Sequence, residues 1–218
     1  NGHEIVDSEE EADAIVINTC CFIHDAKEES VNTILEMAEY KKSGICKVLI
    51  VTGCMAQRYQ DEIQQEIPEV DAVIGTTGYT EIVPILDEIL AEAEASQKEA
   101  AVEEPKEKSF VNCCPSIDLL PASLADKRVV TTGGYTAYLK IAEGCNKRCT
   151  YCIIPYIRGH YRSFPMEDLL EEARKLAEGG VKELILIAQE TTVYGMDCYG
   201  RKALPELLTK LCEIEGIE

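Results

Sequence analysis

Cys145, Cys149 and Cys152 put three thiols within eight residues, at the spacing C-x3-C-x2-C, where the alternating run Tyr138-Leu-Lys-Ile-Ala-Glu-Gly144 ends. A turn of that length can aim three sulfurs at one point while the preceding strand anchors it. Structural zinc is almost always closed by four protein ligands, and ordinary iron–sulfur clusters by four thiolates. No further Cys or His follows at a spacing that would close the site, His160 being the nearest. Three thiolates on a four-iron cube leave one iron free for a ligand that is not protein. The alternative is a zinc knuckle or three chance thiols.

The rest of the chain sets bounds on that chemistry. Its 218 residues, 46% of them hydrophobic, suffice for one large or two modest domains with real cores. No run of eighteen apolar residues occurs, so no membrane span is expected. The chain opens at Asn1 in mid-pattern and stops at Glu218 soon after a helical pattern, which reads as a fragment cut at both ends. Eleven cysteines, an odd number gathered at strand ends, point to metal chemistry in a reducing, cytoplasmic compartment rather than to a disulfide framework. Residues 1–110 hold 25 acids and 8 bases (−17), and 111–218 hold 15 acids and 13 bases (−2). Such a surface repels phosphate backbones and attracts basic protein, so no direct nucleic-acid contact is expected. The plainer reading is that the acids keep helices soluble.

Strand and helix patterns alternate from the start. Ala14–Ile17 is a β-branched run leading to Cys20-Cys21. Ala26 to about Lys42 reads as a helix, with Asp25 as N-cap, Gly44 as stop, and Val31, Ile34, Leu35 and Ala38 on its inner face. A second strand, Lys47–Val51, leads to Cys54; one helix follows from Gln57 to Ile67, then a strand over Asp71–Ile74 and a helix from about Thr80, interrupted by Pro84. This order implies a parallel sheet, whose ligands sit at the carboxyl ends of the strands, where Cys20 and Cys54 fall. Two thiols make a poor cluster site, so a third is expected from a missing upstream strand rather than from Cys21; taken singly, each thiol also reads as a small buried hydrophobe.

The first domain is assigned to residues 1–95 and a linker to 96–134. Within the linker, Glu92 to Lys108 reads as a solvated connection, Phe110 to Gly134 as irregular with a turn around Pro121, and Cys113–Cys114 as incidental. The second domain, 135–218, opens with a strand over Ala137–Ala142. A helix over Met166–Glu178, a buried strand over Glu183–Ile187 and a helix from Leu204 to Cys212 complete a βαβα run, the opening of an α/β barrel. The expected fold class is therefore α/β throughout.

Asn18-Thr-Cys-Cys-Phe-Ile23 with Ala26-Lys-Glu-Glu-Ser30, Thr52-Gly-Cys-Met-Ala-Gln-Arg58, and Tyr138 through Asn146 to Arg158-Gly159 together resemble the radical S-adenosylmethionine (SAM) methylthiotransferase family. Its members join an N-terminal cysteine domain to a radical SAM barrel, and Tyr151 before Cys152 fits their C-x3-C-x-aromatic-C form. Two branches compete, one modifying an adenosine in tRNA and one an aspartate on the twelfth protein of the small ribosomal subunit. Lys140–Gly144, Ile187–Thr192 with Tyr194-Gly195, and Val73–Thr76 resemble the ribosomal-protein branch. Departures exist. The family's cysteine near the start of its first domain is absent, Cys21 stands where Gly is usual, and Phe164 replaces an Arg.

The resemblance implies two [4Fe–4S] clusters and SAM. Cys145, Cys149 and Cys152 hold the SAM-binding cluster; Cys20 and Cys54, with the missing Cys, hold an auxiliary one. An electron from the first cluster, supplied by a flavodoxin or ferredoxin, cleaves a C–S bond of SAM and releases a deoxyadenosyl radical. That radical takes hydrogen from the aspartate Cβ, while the auxiliary cluster supplies sulfur and a second SAM the methyl group. The cofactors carry the hard steps, so no side chain is expected as a catalytic acid or base. Tyr151 is expected against the adenine of SAM, or else in ordinary core packing; Gln189 and Glu190 are expected at its amino and carboxylate ends. Arg158 and Arg162 either clamp a substrate carboxylate or anchor the loop. A non-catalytic iron–sulfur or zinc module is the alternative from another class.

Overall fold

The computed structural model describes residues 2–99, 110–120, 128 and 130–218. The chain divides into two compact units, residues 1–117 and 118–218. Much of the tract assigned to the linker, including Pro121, lies outside the described residues.

The first unit is built on a four-stranded parallel sheet in the order β1 (Ala14–Thr19), β2 (Val48–Gly53), β3 (Ala72–Ile74), β4 (Val111–Cys113). All six residues of β2 are buried. This is what a β-branched apolar run gives when helices cover both faces of a parallel sheet. Helices α1 (His24–Lys42), α2 (Cys54–Arg58), α3 (Gln60–Glu66) and α4 (Ile82–Glu99) make the connections. Ile85, Leu86 and Ile89 of α4 pack on Val48, Ile50, Ala72 and Ile74. The buried Asp71 ties three elements together. Its carboxylate accepts the Leu49 N–H (2.8 Å) and pairs with Lys41, whose ammonium also donates to the Lys47 carbonyl (2.6 Å). A buried carboxylate must be paired and bonded in this way or pay its desolvation.

Several boundaries differ from the sequence pattern for local reasons. Helix α1 starts at His24, so Asp25 lies in its first turn, where a carboxylate still favours the helix dipole. The helix expected over Gln57–Ile67 breaks at Tyr59 (φ −121°, ψ 33°). Pro84 does not interrupt α4; it falls in the first turn, where a missing N–H costs nothing. Strand β4, expected to be irregular chain, is made by pairing with β3. On α1, Ile34 and Ala38 are buried as expected, but Val31 and Leu35 are 36% and 48% exposed.

In the second unit β5 (Thr136–Lys140) pairs in parallel with β8 (Glu183–Ile187). The strand expected over Ala137–Ala142 is broken at Ile141, and its last residues, β6 (Ala142–Glu143), pair antiparallel with β7 (Arg162–Ser163). Between them lie the cysteine loop and a short α5 (Ile154–Arg158); α6 (Met166–Glu178) and α7 (Leu204–Cys212) follow as the 3.6-residue periodicity predicts. Leu139, Ile141, Leu169, Ala173, Tyr194 and Leu207 form the core. Tyr194 is fully buried, and its hydroxyl donates to the Phe164 carbonyl (2.9 Å). Strand β8 is not the buried strand expected, for Ile185 and Ile187 are 38% and 39% exposed. No described helix is long and apolar enough to cross a membrane.

Adjacent residues of α1 give the packing test. Ile34→Ala is expected to cost about 2–5 kcal/mol, and Leu35→Ala no more than about 0.5 kcal/mol, read from urea unfolding of the chain followed by circular dichroism.

Candidate functional site

The cysteine loop is held at both ends by backbone. Gly144 (φ 74°) lets the chain turn out of β6, and a Cβ there would stand 2.1 Å from the His160 carbonyl oxygen. Only glycine tolerates both the conformation and the approach. The Cys145 N–H donates to the Gly159 carbonyl (3.1 Å), closing a loop of fifteen residues counted from Cys145 to Gly159. Within it the Cys152 N–H donates to the Cys149 carbonyl (3.0 Å), and the Asn146 side-chain oxygen accepts the Tyr161 N–H (3.0 Å). Cys145, Cys149 and Cys152 all line one cavity of 410 Å³, shared with Arg148, Tyr156 and His160. Cys149 is exposed and the other two are half-buried.

The donor set decides what such a cavity can hold. Among the described residues no three His, Cys, Asp or Glu side chains are disposed around a single metal ion. The three thiols share the lining of one cavity, a volume that an iron–sulfur cube held by three thiolates would occupy. His160 shares the cavity; Asp118 engages its backbone N–H (2.8 Å) and its ring Nδ1 (3.0 Å), which orients the ring and leaves Nε2 as its remaining donor or acceptor.

Around the loop, charge is paired. Glu143, next to Gly144, is buried and takes Lys140 and Arg158 (3.4 Å) on one carboxylate oxygen. Arg162 donates to the carbonyls of His160 and Arg158 (3.2 Å) and reaches Asp118 (3.5 Å). Both arginines thus anchor the loop. Glu190, beyond the end of β8, pairs with Lys147 of the cysteine loop and accepts the amide (3.0 Å) and hydroxyl of Thr192. Lys147 first, then Thr192, pull the Glu190 carboxyl down to about 2. The neighbouring Gln189 keeps a buried side-chain oxygen with no hydrogen-bond partner. Glu190 and Lys147 also line a second cavity, of 380 Å³, which shares Cys145 and Asn146 with the first. Tyr151 is 91% exposed in this chain.

In the first unit Cys20 and Cys54 follow the carboxyl ends of β1 and β2, one step past the aligned pair Thr19 and Gly53. Gly53 (φ 99°) permits that closeness, since a Cβ would stand 2.4 Å from the Thr19 carbonyl oxygen. Cys20 is exposed, and its N–H donates to Ser30 Oγ (3.0 Å); Cys54 is buried as the first residue of α2. The Cys21 thiol is buried and donates to the Cys54 carbonyl (3.3 Å). Burial pushes that thiol up, the Cys54 charge adds to the rise, and Arg58 opposes it. Cys114 sits just beyond β4 on the same edge, its pKa pushed up to about 11 by burial and by Cys113. Recognising Val111–Cys113 as a strand would have drawn notice to it, but three residues carry no period.

Two outcomes follow from this geometry. Gly144→Ala is expected to lower iron retained after anaerobic reconstitution by at least about two-fold with the far-UV spectrum unchanged, because the strain falls on the loop alone. The folded pKa of Glu190 lies below its ordinary 4.5. The stability it contributes is therefore complete above about pH 4.5 and lost as pH falls towards about 2. Acid titration of the apoprotein should accordingly flatten across that window in Glu190→Gln.

Residues 1–75 match the family described as uncharacterized protein family UPF0004, and residues 139–218 match the radical SAM superfamily. The chain is 62% identical over 217 residues to a protein named ribosomal protein uS12 methylthiotransferase RimO from Lachnoclostridium phytofermentans. It is 52% identical to the protein of that name from Acetivibrio thermocellus and 48% to that from Clostridioides difficile. Each match takes in the whole of this chain and 45–46% of the relative, so the chain spans about half the length of the curated relatives it matches. The radical SAM match implies SAM and a [4Fe–4S] cluster, and makes the βαβα run of the second unit the opening of a TIM-like barrel. With a UPF0004 match ahead of a radical SAM match and this identity along its whole length, the chain is similar throughout to about half of each of these proteins named as methylthiotransferases.

Proposed function

We propose that this chain carries the cluster- and SAM-binding part of an enzyme that adds a methylthio group to the β-carbon of an aspartate in ribosomal protein uS12. One observation carries the reading: Cys145, Cys149 and Cys152 line a single cavity, in a chain so similar to proteins named for that reaction. Cys145, Cys149 and Cys152 would hold the [4Fe–4S] cluster, which, with SAM bound, supplies the one-electron chemistry needed to break an unactivated C–H bond.

The chain's own residues do the rest. Gly144 and the Cys145–Gly159 hydrogen bond fix the mouth of the loop. Gln189 offers a buried acceptor without a partner, and Glu190 a carboxylate that stays ionised, both suited to the ammonium end of SAM. Tyr151 presents an exposed ring for the adenine. Cys20 and Cys54 would contribute two of the ligands of an auxiliary [4Fe–4S] cluster, the source of sulfur. An electron donor of the flavodoxin or ferredoxin kind and a cytoplasmic setting belong to the same reading, in keeping with an odd number of cysteines gathered at strand ends.

The test is iron and sulfide content after anaerobic reconstitution, with electron paramagnetic resonance of the reduced protein before and after SAM. A signal that SAM changes, and that Cys149→Ala abolishes, is the expected result. Iron persisting in that variant would belong to Cys20 and Cys54. A colourless, zinc-loaded protein would sink the reading.

A further inference from the structure

Helix α1 is longer on its apolar side than the core requires. Its outward positions are mostly charged or polar (Asp25, Glu28, Glu29, Asn32, Glu36, Glu39), yet Val31 and Leu35, four residues apart, stand 36% and 48% exposed among them. They form one wall of a groove of 700 Å³ whose other wall comes from Tyr59 and from Ile63 and Ile67 at α3, with Met55 at its base. From His24 to Leu35 the groove follows twelve residues of α1, a rise of about 16 Å, or three helical turns. Phe22 and Ile23, 50% and 55% exposed, immediately precede that end of the helix. Val31 and Leu35 are thus the exposed apolar side chains of α1 in this groove, with Met55, Ile63 and Ile67 buried beneath, so it offers a narrow apolar strip between charged walls.

We propose that the α1–α3 groove docks a basic amphipathic helix of a partner protein, with apolar residues at i, i+3/4 and i+7 laid along Val31 and Leu35 and Lys or Arg on either side. The charge of the rim selects that occupant. Glu28 on one wall and Glu62 and Glu66 on the other are exposed, while Lys27 and Arg58 both lie over the Tyr59 ring (5.7 and 4.9 Å to its centroid) at one end. Residues 1–110 carry −17 in all. A second copy of the chain would set these same carboxylates against one another, which costs affinity and slows encounter; a helix flanked by bases gains on both counts. The geometry is that of helix-in-groove recognition, in which the apolar anchors supply affinity and the flanking charges orientation. It does not depend on the cluster chemistry.

The 218-residue chain would be titrated, by fluorescence anisotropy at about 150 mM salt, with a labelled amphipathic Leu/Lys peptide and with the same Leu pattern carrying Glu in place of Lys. The Leu/Lys peptide is expected to bind and the Leu/Glu peptide not. Leu35→Asp should weaken binding by at least about ten-fold at unchanged melting temperature. The triple reversal Glu28→Lys, Glu62→Lys, Glu66→Lys, all at exposed rim positions, should switch preference to the Leu/Glu peptide. Equal binding by Leu35→Asp would reduce the effect to diffuse charge attraction and overturn the proposal, as would failure of the wild-type chain to bind. Dimerisation in sedimentation that Leu35→Asp abolishes would assign the groove to a second copy and overturn it equally.

Discussion

A strand buried on both faces can carry nothing reactive along its length, and that constraint organises the first unit. Every residue of β2 from Val48 to Gly53 is out of water, and the first cysteine in line with the strand comes where it stops, at Cys54, itself buried. The parallel register then carries the same consequence to β1 and Cys20. Two features keep the ends that close. Gly53 removes the side chain that would collide with the Thr19 carbonyl, and the Thr19 hydroxyl donates across to the Thr52 carbonyl (2.6 Å). At the opposite edge Asp71 and Lys41 hold the strand starts, where a buried pair fixes geometry more than it adds stability.

What was legible in the sequence is what local pattern determines. Helices α6 and α7 and strand β8 fall where period and punctuation put them, and the three-thiol spacing located its loop without any structure. What escaped was set by partners distant in the chain. Val111–Cys113 is a strand only because β3 offers a free edge, and Ile141 breaks a continuous alternating run because its successors pair backwards with Arg162 and Ser163. Periodicity gave the right face of α1 but not its depth of burial. Ile34 and Leu35 lie on the same stripe, and only the width of the underlying sheet decides that one is covered and the other not.

The same limit applied to the charged residues near the loop. Arg158 and Arg162 looked equally suited to a substrate carboxylate or to anchoring, since sequence says nothing about what a guanidinium faces. In the structure the two terminal nitrogens of Arg162 go to backbone carbonyls and Asp118 while its Nε stays buried without a partner among the described residues, and Arg158 reaches Glu143. These bonds cost little where they are, because the carbonyls at the end of α5 would otherwise lack donors. They bind α5 to the strand pair on either side of the thiols.

Why the loop needs so much support follows from its own shape. A turn that gathers ligands at a point can be short and relaxed, as in a zinc site closed by four donors. A loop that must set three thiols around a volume has to bow outward and return. Arg148, between the first and second thiols, does so at φ 48°, the one non-glycine residue of positive φ among the described residues. A side chain in that region costs of order 1 kcal/mol or more and persists only where its surroundings over-determine it. Here the surroundings are the Gly144–His160 approach, the Cys145–Gly159 bond and the Lys147–Glu190 pair. The strain at Arg148, the glycine and the paired charges thus all act on the shape of this one loop.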